Sequence, residues 1–401
     1  MSLTAVPSLS RARENTASVT VAAIAFLVVT GETLPVGLIR DVARGLDASV
    51  SQVGLAVSWY ALVAAVTGVP LTRYAARFDR RNVLVVCALA FGVTQLIAAA
   101  APNLWVYLGA RGVAALTHGV YFAVATPAVV RLARPEIRGR AGSRVAVGAS
   151  LALVLGTPLG TLVGQATGWR AAMVALGVLA LALGIVVARV LPALPPPAGS
   201  GTAEGGLVAT LRSRALAVVL LVTAVVVTSH FMLFTYIAPY ADEQLGVAGR
   251  PFSLLLLVFG TAAVLGSSLA GRLADRWPVR GLRIGAVAYT AALAGLWLAG
   301  TMGGSSLGPV LLVVWGGTFS LLVVSTALAV MRRTQGPRAE TAFAVHGIVF
   351  QVGIVTGSAL GSLLYEQGRL EVVPLLAAGG GAVVLAVALY GGRAFRAGAV
   401  D

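Results

Sequence analysis

Lysine is absent from this chain, and all 29 basic residues are arginine. Acids are scarce as well, 14 in 401 residues, so charged residues of both signs make up only 11% of the sequence. A water-soluble chain of this length needs more polar cover, which excludes a soluble globular protein. Lipid must be the solvent for much of it, since 58% of residues are hydrophobic and the mean hydropathy is +0.92. The single cysteine, Cys87, rules out an intrachain disulfide and leaves the redox compartment unread. HExxH, GxSxG, paired aspartates and a phosphate-binding loop are missing from any suitable context, which argues against an enzyme and against a nucleotide-driven pump. No metal and no cofactor is expected. The first eighteen residues lack the apolar core of a cleavable signal, so the first apolar run is read as a span.

What is present is a series of apolar runs of about 20 residues, the length needed to cross ~30 Å of hydrocarbon. There are twelve, near 19–40, 51–72, 82–101, 104–132, 143–164, 169–190, 214–240, 251–271, 282–302, 307–331, 341–364 and 371–391. Runs of that length are helices and not barrel strands, because a helix satisfies its backbone internally. The expected fold is therefore an all-α polytopic membrane protein of 12 transmembrane helices. The longest break, LPALPPPAGSGTAEGG within 191–213, reads as a linker. It divides an N-terminal six-helix bundle (1–190) from a C-terminal one (214–401), with 191–213 cytoplasmic.

A net charge of +15 raises the question of nucleic acid, but the arginines are not clustered in one domain. With the N-terminus inside, the inner segments hold 23 arginines against 7 acids, and the outer loops hold 5 against 6. That asymmetry is the positive-inside pattern with both termini cytoplasmic, and it removes the case for a nucleic-acid partner. The partners expected are the lipid bilayer, a small-molecule substrate and protons, with the chain as a monomer in the cytoplasmic membrane.

The two halves repeat at an offset near 200 residues, as in transporters built from repeated bundles. GTPLGTL (156–162) matches GSALGSL (357–363), TRYAARFDRR (72–81) matches GRLADRWPVR (271–280), and VTGETLPVGLI (29–39) matches VTSHFMLFTYI (227–237). The last pairing aligns Glu32 with His230. With these segments, the chain resembles the major facilitator superfamily over nearly its full length. It is similar to the twelve-helix drug:proton antiporter branch, and most similar to bacterial sugar exporters of the arabinose type. GRLADRWPVR resembles the loop 8–9 signature with Pro278 in place of its second glycine. The loop 2–3 copy has Thr72 and Ala76 instead of the first glycine and the aspartate. GASLALVLGTPLGTLVGQATGWR (148–170) resembles the fifth-helix antiporter signature, while ETLPVGLI, ARGVAALTHG (110–119) and VVVTSHFMLFTYIAPY (225–240) point towards sugar efflux.

Glu32 is the first candidate residue, because a carboxylate inside a span must be neutral, paired or facing water. At 1.5 Å per residue it lies about 12 Å below the outer surface, and Arg111 on the fourth helix about 10 Å below it. The matched depths suggest that they interact, directly or through water. His118 follows Arg111 by seven residues, almost two turns, and so shares its face. All three histidines, His118, His230 and His346, fall in spans. Histidine and a glutamate in low dielectric can each load and release a proton, which makes Glu32, Arg111, His118 and His230 the proton-coupling set. The alternative for any buried histidine, and most of all for His346 near the inner end, is hydrogen-bonded structure.

Trp59, Tyr60, Tyr121, Phe231, Phe234, Tyr236, Trp315 and Gln351 could form a binding wall, although most aromatics in such a protein are packing or interfacial belt. Trp315 is mapped by the repeat near Arg111. Asp275 and Arg276 are gating candidates at helix ends. Gly156, Pro158 and Gly160 belong to a small-residue stripe, Gly148, Ala152, Gly156, Gly160 and Gly164, that suits close helix packing. The resemblance implies that the stripe's partner is in the other half.

The function expected is a proton-coupled antiporter exporting a small neutral solute, a sugar or glycoside first. A multidrug or chloramphenicol-like antiporter is the alternative. A receptor or scaffold without transport is a reading of a different class, and it would tolerate the loss of Glu32.

Overall fold

The computed structural model describes residues 10–134, 137–196, 213–302, 306–334 and 337–395. It contains twelve helices long and apolar enough to cross a membrane. In chain order they are α1 (Arg11–Gly37), α2 (Val50–Ala75), α3 (Arg80–Ala100), α4 (Leu104–Leu132), α5 (Arg138–Thr167), α6 (Trp169–Val190), α7 (Arg214–Phe234), α8 (Gly249–Ala274), α9 (Pro278–Thr301), α10 (Gly308–Arg333), α11 (Thr341–Glu366) and α12 (Leu370–Tyr390). No strand occurs among the described residues. Residues 197–212, most of the expected linker, lie outside them.

The chain divides into two compact units, residues 1–48 with 66–202, and residues 49–65 with 203–401. The first part of α2 thus groups with the second unit. Within the units the same neighbours recur: α1 packs on α4, α5 and α6 as α7 packs on α10, α11 and α12. Likewise α3 meets α4 and α6, as α9 meets α10 and α12. The breaks recur too. α1 stops at Gly37 and resumes as the short helix Ile39–Gly45, and α7 stops at Phe234 and resumes as Ile237–Leu245.

α1 begins eight residues before the apolar run, because RARENTAS is itself helical. Ser10 caps it by accepting from Arg13 N at 3.4 Å, and Glu14 in the first turn suits the positive end of the helix. Glu14 is buried, at 5% exposure, and its carboxylate accepts from Arg134 N (2.9 Å) and Arg134 Nε (3.0 Å). A polar helix start carries no hydropathy signal, so this anchor was invisible in the apolar pattern.

The fifth-helix stripe corrects an expectation. Its glycines face α1 of their own unit, and not the other half. A side chain at Gly148 would strike Ala22, at Gly156 Thr30 and Phe26, at Gly160 Leu34, and at Gly164 Leu38. The nearest residue on α1 is, at each position, 126 residues earlier (Ala22, Thr30, Leu34, Leu38), the register of two helices running side by side in the same direction. The small residues at four-residue spacing on α5 leave room for the α1 side chains along this seam, and membrane helices associate by such packing. Thr33 and Thr157 hydroxyls then meet across it at 2.5 Å. α11 repeats the arrangement, with Gly353, Gly357 and Gly361 against α7. Within α5, Pro158 withholds the N–H that the Val154 carbonyl would accept, and the helix widens to a π-type turn over Ala152–Gly156.

Gly156→Val should therefore cost about 1–3 kcal/mol, as overpacking does. It should lower the unfolding midpoint of the purified protein in detergent. Gly347→Ala, where nothing lies within 4 Å of the added carbon, should leave the midpoint unchanged or raise it slightly.

Candidate functional site

The stretch Gly31-Glu32-Thr33-Leu34-Pro35 builds the centre of the first unit. Pro35 has no N–H, so the carbonyl of Gly31, four residues earlier, loses its helical donor. Arg111 supplies the missing bond: its Nη1 donates to the Gly31 carbonyl at 2.6 Å, and its Nη2 to the Glu32 carbonyl at 3.0 Å. Arg111 is 1% exposed, so the guanidinium is held by α1's backbone deep among helices. Gly31 also lets α3 in, since an added carbon there would strike Gln95 and Phe91.

The depth match read from the sequence corresponds to contact, though through main-chain carbonyls. The Glu32 carboxylate has a second neighbour, His118 Nδ1 at 3.4 Å. Both of these side chains stay partly open, His118 at 18% and Glu32 at 19% exposure. A sealed cation thus sits beside a partly exposed carboxylate–imidazole pair.

By the sequence repeat, His230 of the second unit aligns with Glu32, and Trp315 falls near the position of Arg111. Their ring centroids lie 4.6 Å apart. Around His230 stand Phe319, Phe234 and Phe259, and Phe231 touches it edge-on. Phe259 and Phe319 were not among the sequence candidates. The signal that would have found them is WGGTF (315–319), where Trp315 and Phe319 share a helix face and Gly316 leaves room for the Phe259 ring.

Other candidates fall elsewhere. Tyr121 is buried and its hydroxyl donates to the Val21 carbonyl, which ties α4 to α1. Tyr236 is buried and donates to the Ser51 carbonyl at 3.4 Å. Tyr60 is buried, Gln351 half-buried and Trp59 exposed. His346 is buried beside Thr326 (Nε2 to Oγ1, 3.2 Å), whose hydroxyl donates to Val323 O at 2.7 Å. The threonine proton is thereby committed, so His346 is the donor of the pair, a structural hydrogen bond. Arg276 is exposed, and the side chain of Asp275 lies outside the described residues. Among the described residues no cluster of three metal-ligating side chains occurs.

At the degenerate loop 2–3 motif, Asp79 caps α3 by accepting from Arg81 N (2.9 Å) and Asn82 N (3.3 Å). Its other oxygen accepts from Leu194 N at 2.6 Å, and Arg80 N returns a bond to Leu194 O at 2.9 Å. Arg131 Nη1 adds a bond to Pro195 O at 2.5 Å. The segment after α6 is therefore laced to its own unit by the loop that lacks the motif's aspartate.

With this geometry in place, the comparisons with known proteins decide the family. The sequence profile of the Major Facilitator Superfamily matches residues 21–357 and, in a second match, 220–399. The chain belongs to the Major Facilitator Superfamily. It is 36% identical over 375 residues to a chloramphenicol efflux pump of Mycobacterium tuberculosis, covering 92% of this chain and 89% of that protein. It is 30% identical over 359 residues to a probable sugar efflux transporter of Mannheimia succiniciproducens, covering 90% and 89%. Among solved structures, a bacterial homologue of the human lysosomal transporter Spinster matches with a TM-score of 0.78 at 15% identity, covering 96% of this chain and 98% of that one. A D-xylose–proton symporter matches with a TM-score of 0.76 at 15% identity, covering 95% and 98%. This member of the superfamily is thus a multi-pass membrane transporter and not an enzyme.

Removing the guanidinium should leave the Gly31 carbonyl without a donor. Arg111→Met should then lose about 1–3 kcal/mol, seen as a lower unfolding midpoint in detergent. Adding Pro35→Ala, which returns an N–H to that carbonyl, should recover part of the loss in the double variant.

Proposed function

We propose that the protein is a proton-coupled antiporter that exports a small neutral solute by alternating access. The observation that carries this reading is the Glu32–His118 pair, 3.4 Å apart inside apolar helices and beside the backbone-anchored Arg111. A carboxylate placed so far from bulk water is expensive unless it is paired or serves transport, and this one has His118 beside it and keeps 19% exposure. Loaded with a proton, Glu32 is neutral and the site carries the charge of Arg111. Once that proton leaves, the carboxylate balances the guanidinium, and His118 can accept or return the proton across a short gap. Solute and proton then compete for one conformational cycle, each binding when the other has left.

Export as the direction is supported by the names of the two relatives, one for chloramphenicol and one for sugar. The arginine asymmetry supports a cytoplasmic-membrane location with both termini cytoplasmic. The moving parts of this reading are the bundles 1–190 and 214–401, joined by 191–213, with the chain acting as a monomer. Asp275 and Arg276 gate the inner face in this reading. Asp79 takes over the anchoring role on the N-terminal side, where Ala76 stands in place of the motif's aspartate.

Inside-out vesicles carrying the protein, given an imposed proton gradient, should accumulate labelled chloramphenicol or arabinose. Glu32→Gln should reduce that accumulation to the level of empty vesicles. Accumulation of neither compound by the wild-type protein, or full accumulation by Glu32→Gln, would overturn the proposal.

A further inference from the structure

We propose that α7, α8 and α10 form the solute site. There His230 is a hydrogen-bonding wall and not a proton carrier, and the ring stack around it takes a neutral, planar aromatic solute with polar substituents. This deepens the exporter reading and rests on it. His230 lies in a set of near-parallel rings, 3.4 Å and 6° from Phe319, 5.0 Å and 19° from Phe234, and 6.4 Å and 27° from Phe259. His230 and Phe234 are four residues apart on α7, and Trp315 and Phe319 four apart on α10, so two helix faces each contribute a pair of rings. Gly316 admits Phe259 from α8, because an added carbon there would strike that ring.

Three buried polar atoms, His230 Nδ1 and Trp315 Nε1 in this ring cluster and the Tyr289 hydroxyl next to Trp315, lack a hydrogen-bond partner. The last two are neighbours, yet they do not complete a bond of good geometry. Leaving such groups unmet costs free energy, and native interiors rarely tolerate it without a ligand or water to meet them. Three unmet groups beside stacked rings match a solute that brings a π face and a few donors or acceptors. A monosaccharide instead needs many polar partners around its rim. Phe231, and Phe319 and Phe350 that each meet it edge-on, are only half-buried, while His230 and Trp315 are at 3% and 0% exposure.

Proton carriage by His230 conflicts with its surroundings. α7, α8, α9 and α10 contain no aspartate or glutamate. The glutamates of α11 and α12, which also pack on α7, stand at helix ends as Glu366 and Glu371. No carboxylate therefore lies within these spans near His230 to balance an imidazolium. A buried cation without such a partner is strongly disfavoured. His118 has Glu32 at 3.4 Å. The two histidines therefore have different tasks, one in each unit.

The test is binding of labelled chloramphenicol to the purified full-length protein in detergent, without any gradient and with arabinose as competitor. Unfolding curves check each variant. His230→Phe, which keeps a ring and loses the hydrogen bond, should weaken binding about tenfold, and Phe319→Leu should do the same. His230→Gln keeps a hydrogen-bonding group and cannot carry a proton. It should weaken binding less than His230→Phe does and keep gradient-dependent export at saturating solute, a loss of affinity and not of coupling. Wild-type binding in His230→Phe, no saturable chloramphenicol binding by the wild-type protein, or arabinose competing as well as chloramphenicol would each overturn the proposal. So would His230→Gln that binds normally and exports nothing. Failure of the exporter reading is distinguishable, since chloramphenicol would then bind as described while wild-type vesicles accumulate nothing.

Discussion

A guanidinium bound to a helix carbonyl that proline has freed is the interaction on which the first unit depends. Pro35 takes the donor from Gly31, Arg111 replaces it, and the bond fixes α1 against α4 at the depth of Glu32. Two costs offset each other there. A buried arginine without partners and a carbonyl without a donor are each unfavourable in lipid, and together they satisfy one another. The guanidinium binds the α1 backbone, and the carboxylate of Glu32 faces His118.

The same frame is used twice with different chemistry. In the second unit His230 aligns with Glu32, Trp315 falls near the position of Arg111, and rings stand where the first unit has charges. The shared scaffold is a seam of small residues that lets α5 lie on α1 and α11 on α7. The packing is thus shared while the central positions differ. One unit holds a carboxylate–imidazole pair beside an arginine, and the other holds stacked rings and a few unmet hydrogen-bonding groups.

Much of this was legible in the sequence, for physical reasons. Spans were readable because lipid demands about 20 apolar residues in a row. The neighbourhood of Glu32, Arg111 and His118 was readable because depth along a helix is a matter of counting. The beginning of α1 was not, since Glu14 and its polar neighbours have no hydropathy signal until Arg134 folds over them. Nor was the partner of the Gly156 stripe: small residues say that something comes close, and not what. The resemblance assigned that partner to the other half, whereas the register to Ala22, Thr30, Leu34 and Leu38 gives α1. Phe259 and Phe319 escaped because aromatics are common in membrane helices, and only their convergence on His230 distinguishes them. The roles of Asp79 and Leu194 were hidden for a related reason, since a hydrogen bond between a loop and a distant backbone leaves no local pattern.

The most direct measurement of the central claim is proton release when solute binds. Purified protein in weakly buffered detergent solution, with a pH indicator, would be mixed with chloramphenicol. The account predicts release from the wild-type protein, none from Glu32→Gln, and release from His230→Gln once chloramphenicol is saturating. Undiminished release from Glu32→Gln would contradict it.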